Sequence, residues 1–247
     1  MKLQVGFISD LHTKQREWTD NLQYGQWGYE VEQKWKDLDI LIFAGDCSSR
    51  GYFHELKDFT YWFSQQPATF KVMIAGNHDF GFEEIARFDP NVIRNTVVST
   101  PTIEEIIPDN VIYLNDSSVD IYGLKIWGSP IQPWFHNWAF NRQRGEEIKK
   151  HWDLIPNDTD ILITHGPPRN ILDRIGKRFE RVNENPHVGC DDLLEAINRI
   201  KPKVNVFGHI HEGYGKVVID DTIFINASCL NDNYMPTNPP QFLTIEI

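Results

Sequence analysis

Val72-Met73-Ile74-Ala75-Gly76-Asn77-His78-Asp79 is an apolar run that ends in an amide, an imidazole and a carboxylate. A short apolar run closed by a turn residue reads as a buried strand, so these polar groups sit at a strand's carboxyl end. The same pattern recurs four more times. Val5-Gly6-Phe7-Ile8-Ser9 leads into Asp10-Leu11-His12, and Ile40-Leu41-Ile42-Phe43-Ala44 into Gly45-Asp46. Ile161-Leu162-Ile163-Thr164 leads into His165, and Val204-Asn205-Val206-Phe207 into Gly208-His209-Ile210-His211. Ligands of α/β sheets bind outside the carboxyl ends of the strands, so the five runs predict one site at a common sheet edge. Oxygen donors mixed with imidazoles are the ligand set of a two-metal hydrolase.

Spacing within the runs assigns work to single residues. Side chains two apart on an extended segment point the same way, so Asp10 and His12 are expected to reach one ion. Gly208 is expected to allow a tight turn that offers His209 and His211 to two adjacent ions. Gly45 and Gly76 put a small residue where backbone must come close to a metal. Asp46 is the natural bridge, because a carboxylate has two oxygens and one charge to share between two cations. Asn77 offers a neutral amide oxygen. Any one of these pieces alone is a common accident; five in order, each after an apolar run, are not.

The surrounding chain reads as mixed α/β. Leu56, Phe59, Trp62 and Phe63 fall at helical spacing over Phe53 to Ser64, as do Leu193, Leu194, Ile197 and Ile200 over Asp191 to Ile200. Asp191 or Asp192 is placed to cap the second helix, and Pro202 blocks its extension. Val111 to Trp127 reads as two or three short antiparallel strands turning at Asn115-Asp116 and Gly123. Tyr214 to Ile247 reads as strands, with a hairpin turn at Asp220-Asp221 and a loop from Pro236 to Pro240. Early βαβ units followed by β-rich segments predict two mixed sheets packed face to face with helices outside.

Composition bounds the function. The 247 residues carry no repeat or low-complexity linker, and residues 1–247 are read as a single domain. A net charge of −11 argues against a long nucleic-acid partner, which needs a basic surface. It is compatible with a small anionic substrate if bound cations reverse the local sign. Cys47, Cys190 and Cys229 are sparse, odd in number and without metal spacing, which predicts a reduced, cytoplasmic setting. The first strand starts near Leu3 without a signal-peptide apolar region, and no run approaches the roughly 18 apolar residues of a membrane span.

Several residues have plainer readings. Cys47 reads as a small buried side chain although it follows Asp46. His54, His136, His151 and His187 lie off the strand ends and read as surface or supporting residues. Glu83-Glu84 reads as a solvated helix start. The cluster Trp127, Trp134, Phe135, Trp138 and Phe140 reads either as core or as a stacking wall beside the metals, since an aromatic face holds a nucleobase.

The ordered set Asp-x-His, Gly-Asp, Gly-Asn-His-Asp, His and Gly-His-x-His, from Asp10 to His211, resembles the calcineurin-like metallophosphoesterase superfamily. Trp134-Phe135-His136-Asn137-Trp138-Ala139-Phe140-Asn141, Thr164-His165-Gly166-Pro167-Pro168 and His211-Glu212-Gly213-Tyr214-Gly215 are similar to its metallophosphoesterase-domain-containing phosphodiesterase subgroup. So are Ile225-Asn226-Ala227-Ser228 and Pro236-Thr237-Asn238-Pro239-Pro240. The chain departs from the subgroup at Asp79, where Glu is common, and at Leu11, where Thr is common; neither is a metal-ligand position.

The resemblance implies a four-layer sandwich of two mixed sheets flanked by helices, with a dinuclear site at the strand carboxyl ends. It implies that Asp10, His12, Asp46 and His211 hold one metal and that Asp46, Asn77, His165 and His209 hold the other. His78 then faces the substrate. Mn²⁺ is the first expectation for the two divalent ions, with Fe, Zn²⁺, Ni²⁺ or Mg²⁺ as alternatives that the ligand set does not separate. The expected activity is hydrolysis of a small nucleotide-like phosphodiester, a cyclic nucleotide being one form, by a hydroxide shared between the cations. His78 is expected to protonate the leaving oxygen with Asp79 orienting its ring. Asn77, His78, Trp134 and Phe135 are expected to contact substrate. The rival readings are a phosphomonoesterase, a nuclease on short ends and a low-turnover nucleotide-binding module.

Overall fold

The computed structural model describes residues 1–87, 101–176 and 185–247. The five apolar runs are all strands, and they divide between two sheets. Strands β1 (Lys2–Ile8), β2 (Ile40–Ala44), β3 (Phe70–Ile74) and β4 (Ile112–Tyr113) run parallel in the first sheet. Strand β13 (Gln241–Glu246) closes its edge antiparallel to β1. The second sheet has a parallel centre of β6 (Leu124–Ser129), β9 (Ile161–Thr164), β10 (Val204–Phe207) and β12 (Thr222–Asn226). Strands β5 (Ser117–Ile121) and β11 (Gly215–Ile219) flank it antiparallel, giving the order β11-β12-β10-β9-β6-β5. Strands β7 (Gln132–Pro133) and β8 (Asn141–Arg142) pair in a separate short ribbon. The single sheet edge expected from sequence is therefore the seam where two sheets meet.

Strand alternation builds the layers. Ile40, Ile42 and Ala44 join Val5, Phe7, Val72 and Ile74 in a cluster with Ile126, Ile161, Ile163, Val204 and Val206 from the second sheet. The intervening Leu41, Phe43 and Met73 join the helix-side cluster. Successive strand side chains point to opposite faces, so a strand covered on both faces reads as an unbroken apolar run. Each fully buried Phe or Leu contributes about 1.5–3 kcal/mol.

On the helix side, α1 (Gln15–Gln23), α2 (Tyr29–Lys36) and α3 (Phe53–Ser64) contribute Trp18, Trp35, Phe59 and Phe63. Helices α4 (Phe80–Arg87) and α5 (Ile103–Ile106) follow. Helices α6 (Glu146–Trp152) and α7 (Asp191–Ile200) bring Ile148, Trp152, Leu193 and Ile197 to the same cluster. Among the described residues no helix is long and apolar enough to cross a membrane.

The two helices read from spacing run over the expected residues, with one change at a cap. Glu55 closes the start of α3 by accepting from the Arg50 and Tyr52 amides, each at 3.1 Å. The cap of α7 is the Cys190 sulfur, which accepts from the Leu193 amide at 3.4 Å, and not Asp191 or Asp192. Asp220 and Asp221 take φ of 47° and 68° in the predicted hairpin turn. Tyr122 and Gly123, at 52° and 82°, make the turn between β5 and β6. The segment from Val111 is not one antiparallel meander. Strand β4 pairs parallel with β3, and the chain then crosses at Asn115-Asp116 into the second sheet.

Candidate metal centre

The loops after β1, β2, β3, β9 and β10 meet at the seam. Asp10 donates its amide to the Gly45 carbonyl at 2.9 Å, His12 to Asp46 at 3.1 Å, and Gly208 to His165 at 2.9 Å. Asp10, His12, Asp46 and His209 have φ of 51°, 41°, 60° and 67°. Such left-handed non-glycine residues cost on the order of 1–3 kcal/mol each and persist only where the surroundings hold them. Asp10 and His12 thus converge through a left-handed turn and not along the extended pleat expected for them. Gly208 also serves differently from expectation. His209 takes the left-handed conformation, while a Cβ on Gly208 would strike the Asp10 carboxylate and the Ser9 side chain.

The ligand-type atoms collect in overlapping groups. Asp10, His12 and His211 each bring one atom within 4.8 Å of the others, and so do Asp46, His165 and His209. A third group of the same size joins His12, Asp46 and His78. Asn77 Oδ1 lies 2.9 Å from His165 Nε2. Asp46 belongs to two groups, and Asp10 sits against Ser9, Ser228 and the His209 amide at 2.6–3.1 Å.

Backbone carbonyls orient the rings. His12 Nδ1 faces Ser48 O at 3.2 Å, His165 Nδ1 faces Ala44 O at 3.0 Å, and His211 Nδ1 faces Asn231 O at 3.0 Å. A carbonyl at Nδ1 fixes the proton there and leaves Nε2 for a metal. His12 Nε2 is buried and has no hydrogen-bond partner. An unpaired buried polar atom costs about 1–3 kcal/mol. That orphaned lone pair, two buried carboxylates and converging imidazole nitrogens fit two divalent cations.

Electrostatics divide the candidate ligands. Burial opposes charge on Asp46, but His165 and His78 outweigh it and hold the carboxyl well below its ordinary range. Asp10 is likewise held low against burial by its hydrogen bond and charge pairing with His211. Burial outweighs Asp46 at His12 and lowers it to about 4, and burial with the neighbouring His165 lowers His209 to about 3. Burial disfavours charge on His165 too, yet Asp46 raises it to about 9, and Asp10 raises His211 in the same way. Both ring nitrogens of His165 lie against oxygen atoms, Ala44 O at 3.0 Å and Asn77 Oδ1 at 2.9 Å, a setting that suits the charged ring.

That charge has a measurable consequence. A raised pKa means that His165 is charged at pH 7 and titrates as pH climbs through about 9. Metal loading at pH 7 should release protons, and metal affinity should rise with pH up to about 9. Calorimetric titration with Mn²⁺ in buffers of different ionisation heat measures this directly. Zero proton release at pH 7 would contradict the geometry.

His78 stands beside these candidate ligands and belongs to one of their groups. Its Nδ1 faces Ser49 O at 2.9 Å, and Trp138 stacks on its ring with centroids 4.2 Å apart. The expectation that Asp79 orients this ring is corrected. Asp79 is fully buried and accepts from the amides of Gly76, Cys47 and Ser48 and from the Ser48 hydroxyl at 2.6–3.2 Å. It clamps the β2 and β3 loops together. Cys47 also donates its thiol to Asp79, and burial and that carboxylate push the thiol well above its ordinary range.

The remaining candidates separate by burial. Trp127 and Phe140 are core. Trp134 and Phe135, at 52% and 53% exposure, line a cleft of about 810 Å³ that also contains His12, Asp46, Asn77, His78, His209 and His211. Glu83 is buried and lies 3.8 Å from Arg142, which corrects its reading as solvated. His151 bonds Asp116 at 2.6 Å and accepts from Arg142 at 3.1 Å. His187 lines the cleft. A lone histidine remote from the five runs carries no sequence signal for such a position.

The family model for calcineurin-like phosphoesterases matches residues 3–213. The chain belongs to this family. It is 41% identical over 246 residues to metallophosphoesterase domain-containing protein 1 of Homo sapiens and of Mus musculus, covering 94% of this chain and 68% of each relative. The solved structure of TT1561 from Thermus thermophilus shares the fold, with TM-score 0.56 and 13% identity over 92% of this chain and 89% of that one. As a calcineurin-like phosphoesterase the chain is a phosphoester hydrolase, and the family uses dinuclear divalent metals.

Proposed function

We propose that this phosphoesterase is a metal-dependent phosphodiesterase acting on a small nucleotide-like diester, with Mn²⁺ as the first metal to try. The observation that carries the reading is the cleft. Its volume of about 810 Å³ lies within the roughly 300–1,000 Å³ of small-molecule sites, and it extends from the ligand cluster to exposed aromatic rings. A monoester has one organic group to house, whereas a diester has two.

Bound divalent cations would supply charge for the phosphoryl oxygens and a nucleophile near neutral pH. Asp10, His12, Asp46 and His211 would hold one, and Asp46, Asn77, His165 and His209 the other. His78 supplies a different chemistry. Its Nδ1 is committed to the Ser49 carbonyl, so in the imidazolium form Nε2 is the nitrogen that would give its proton to a leaving oxygen, returning the ring to neutral. Trp138 covers one face of the ring and limits how it can tilt. Trp134 and Phe135, exposed on the cleft wall, would hold a base by stacking.

The direct test compares bis(p-nitrophenyl) phosphate with p-nitrophenyl phosphate on the Mn²⁺-loaded protein. Faster turnover of the diester supports the reading, and faster turnover of the monoester overturns it.

The aromatic residues give a second expectation. Trp134→Ala and Phe135→Ala should raise KM for a nucleoside diester, because lost stacking is worth roughly 1–3 kcal/mol per base. Trp127→Ala should instead lower Tm sharply, since truncating a buried Trp costs about 3–5 kcal/mol. Parallel melting and KM measurements separate the two classes. Unchanged KM in both cleft variants would remove the stacking wall.

A further inference from the structure

His187 and Asp173 form a carboxylate–imidazole pair on the cleft wall that neither metal cluster uses. Asp173 is fully buried. One of its oxygens meets His187 Nδ1 at 2.6 Å, and the other accepts from the Asn170 and Gly189 amides, each at 2.9 Å. A buried carboxylate is costly unless its lone pairs are filled, and these are. The ring it holds is not buried with it: the His187 side chain is 36% exposed and faces the cleft that contains His78 and the ligand histidines.

The wall beneath the ring is tied at several points. Residue pairs Pro168–Cys190 and Arg174–His187 are bridged by backbone pairing. Val188 donates its amide to the Asp173 carbonyl at 3.2 Å. Arg144 clamps the Val188 and Gly189 carbonyls at 2.7 and 2.8 Å. With Nδ1 bound to Asp173, the other polar atom of the ring is Nε2. Nε2 is then presented at a fixed place, where it can hydrogen-bond a polar group of a bound molecule.

We propose that His187 is a specificity-determining substrate contact, positioned by Asp173, that hydrogen-bonds the organic arm of the substrate: a sugar hydroxyl or base N–H of a nucleoside ester. This rests on the reading of the cleft as the substrate site. It adds a carboxylate-held imidazole to a cleft that the aromatic Trp134 and Phe135 and the polar Arg169 and Glu212 also line.

The experiment uses two esters with the same leaving group, thymidine 5′-(p-nitrophenyl) phosphate and bis(p-nitrophenyl) phosphate, with the Mn²⁺-loaded protein. His187→Ala should lower the ratio of kcat/KM for the nucleoside ester to that for the bis-aryl ester by about 3- to 10-fold, through KM, as expected for one hydrogen bond. His187→Gln, which keeps an acceptor and a donor, should recover part of that ratio. An unchanged ratio, including one seen with a lowered Tm, would show that the pair merely ties two loop segments together and would overturn the proposal. A loss confined to kcat and shared by both esters would also overturn it.

A binding arm keeps this test independent of turnover. Calorimetric affinities of the Mn²⁺-loaded protein for thymidine 5′-monophosphate and for inorganic phosphate should show the nucleotide weakened more than phosphate in His187→Ala. If the wild-type protein cleaves neither ester, the phosphodiesterase reading fails while the binding ratio still decides the role of His187. Equal weakening of both ligands would reject it.

Discussion

Asp46→Asn is expected to lower turnover by more than about 100-fold, because even partners one step removed from a metal cost 10- to 100-fold when lost. The reason lies in how the carboxylate is shared. One oxygen accepts the His78 amide at 2.8 Å, and the other lies 3.3 Å from His165 Nε2 and 3.7 Å from His12 Nε2. An asparagine that keeps the His78 bond turns its NH₂ toward two imidazoles. It removes the charge that raises His165 and offers a donor where two cations need an anion. Metal analysis of the purified variant should show fewer than two equivalents retained. Two full equivalents with near-normal turnover would reject Asp46 as the bridge.

His78→Ala should lose rate by about 10²–10⁴-fold and keep its metals, as expected for loss of a general acid. The loss should be larger for an alkyl diester than for a nitrophenyl diester, whose leaving group needs no proton. This outcome matters because His78 also belongs to a group of potential ligands with His12 and Asp46. A variant that lost a metal equivalent would make His78 a ligand. Equal losses on both substrates would make it an electrostatic clamp.

Much of this site was legible in the residues alone. Apolar runs closed by Asp, Asn or His mark strand ends irrespective of the sheet they join, so the donors could be named before their geometry was known. The division of those runs between two sheets was not legible, because a strand buried on both faces looks the same in either. Asp79 was misread for a related reason. Its neighbour in sequence is His78, but its hydrogen bonds go to the amides of another loop, and backbone donors leave no trace in residue identity. The carbonyls of Ala44, Ser48 and Asn231 that orient the ligand rings were hidden in the same way. The aromatic segment from Trp127 to Phe140 posed a choice between core and wall that the structure divides residue by residue. Composition could not make that division, since Trp127 and Trp134 differ only in what surrounds them.

The central claim is that two cations act together at the seam of the sheets. Its most direct measurement is stepwise reloading of chelator-stripped protein with Mn²⁺ while bis(p-nitrophenyl) phosphate hydrolysis is followed. Activity should remain low through the first equivalent, rise through the second and then level off. Full activity at one equivalent, or hydrolysis that persists in the stripped protein, would contradict a dinuclear centre.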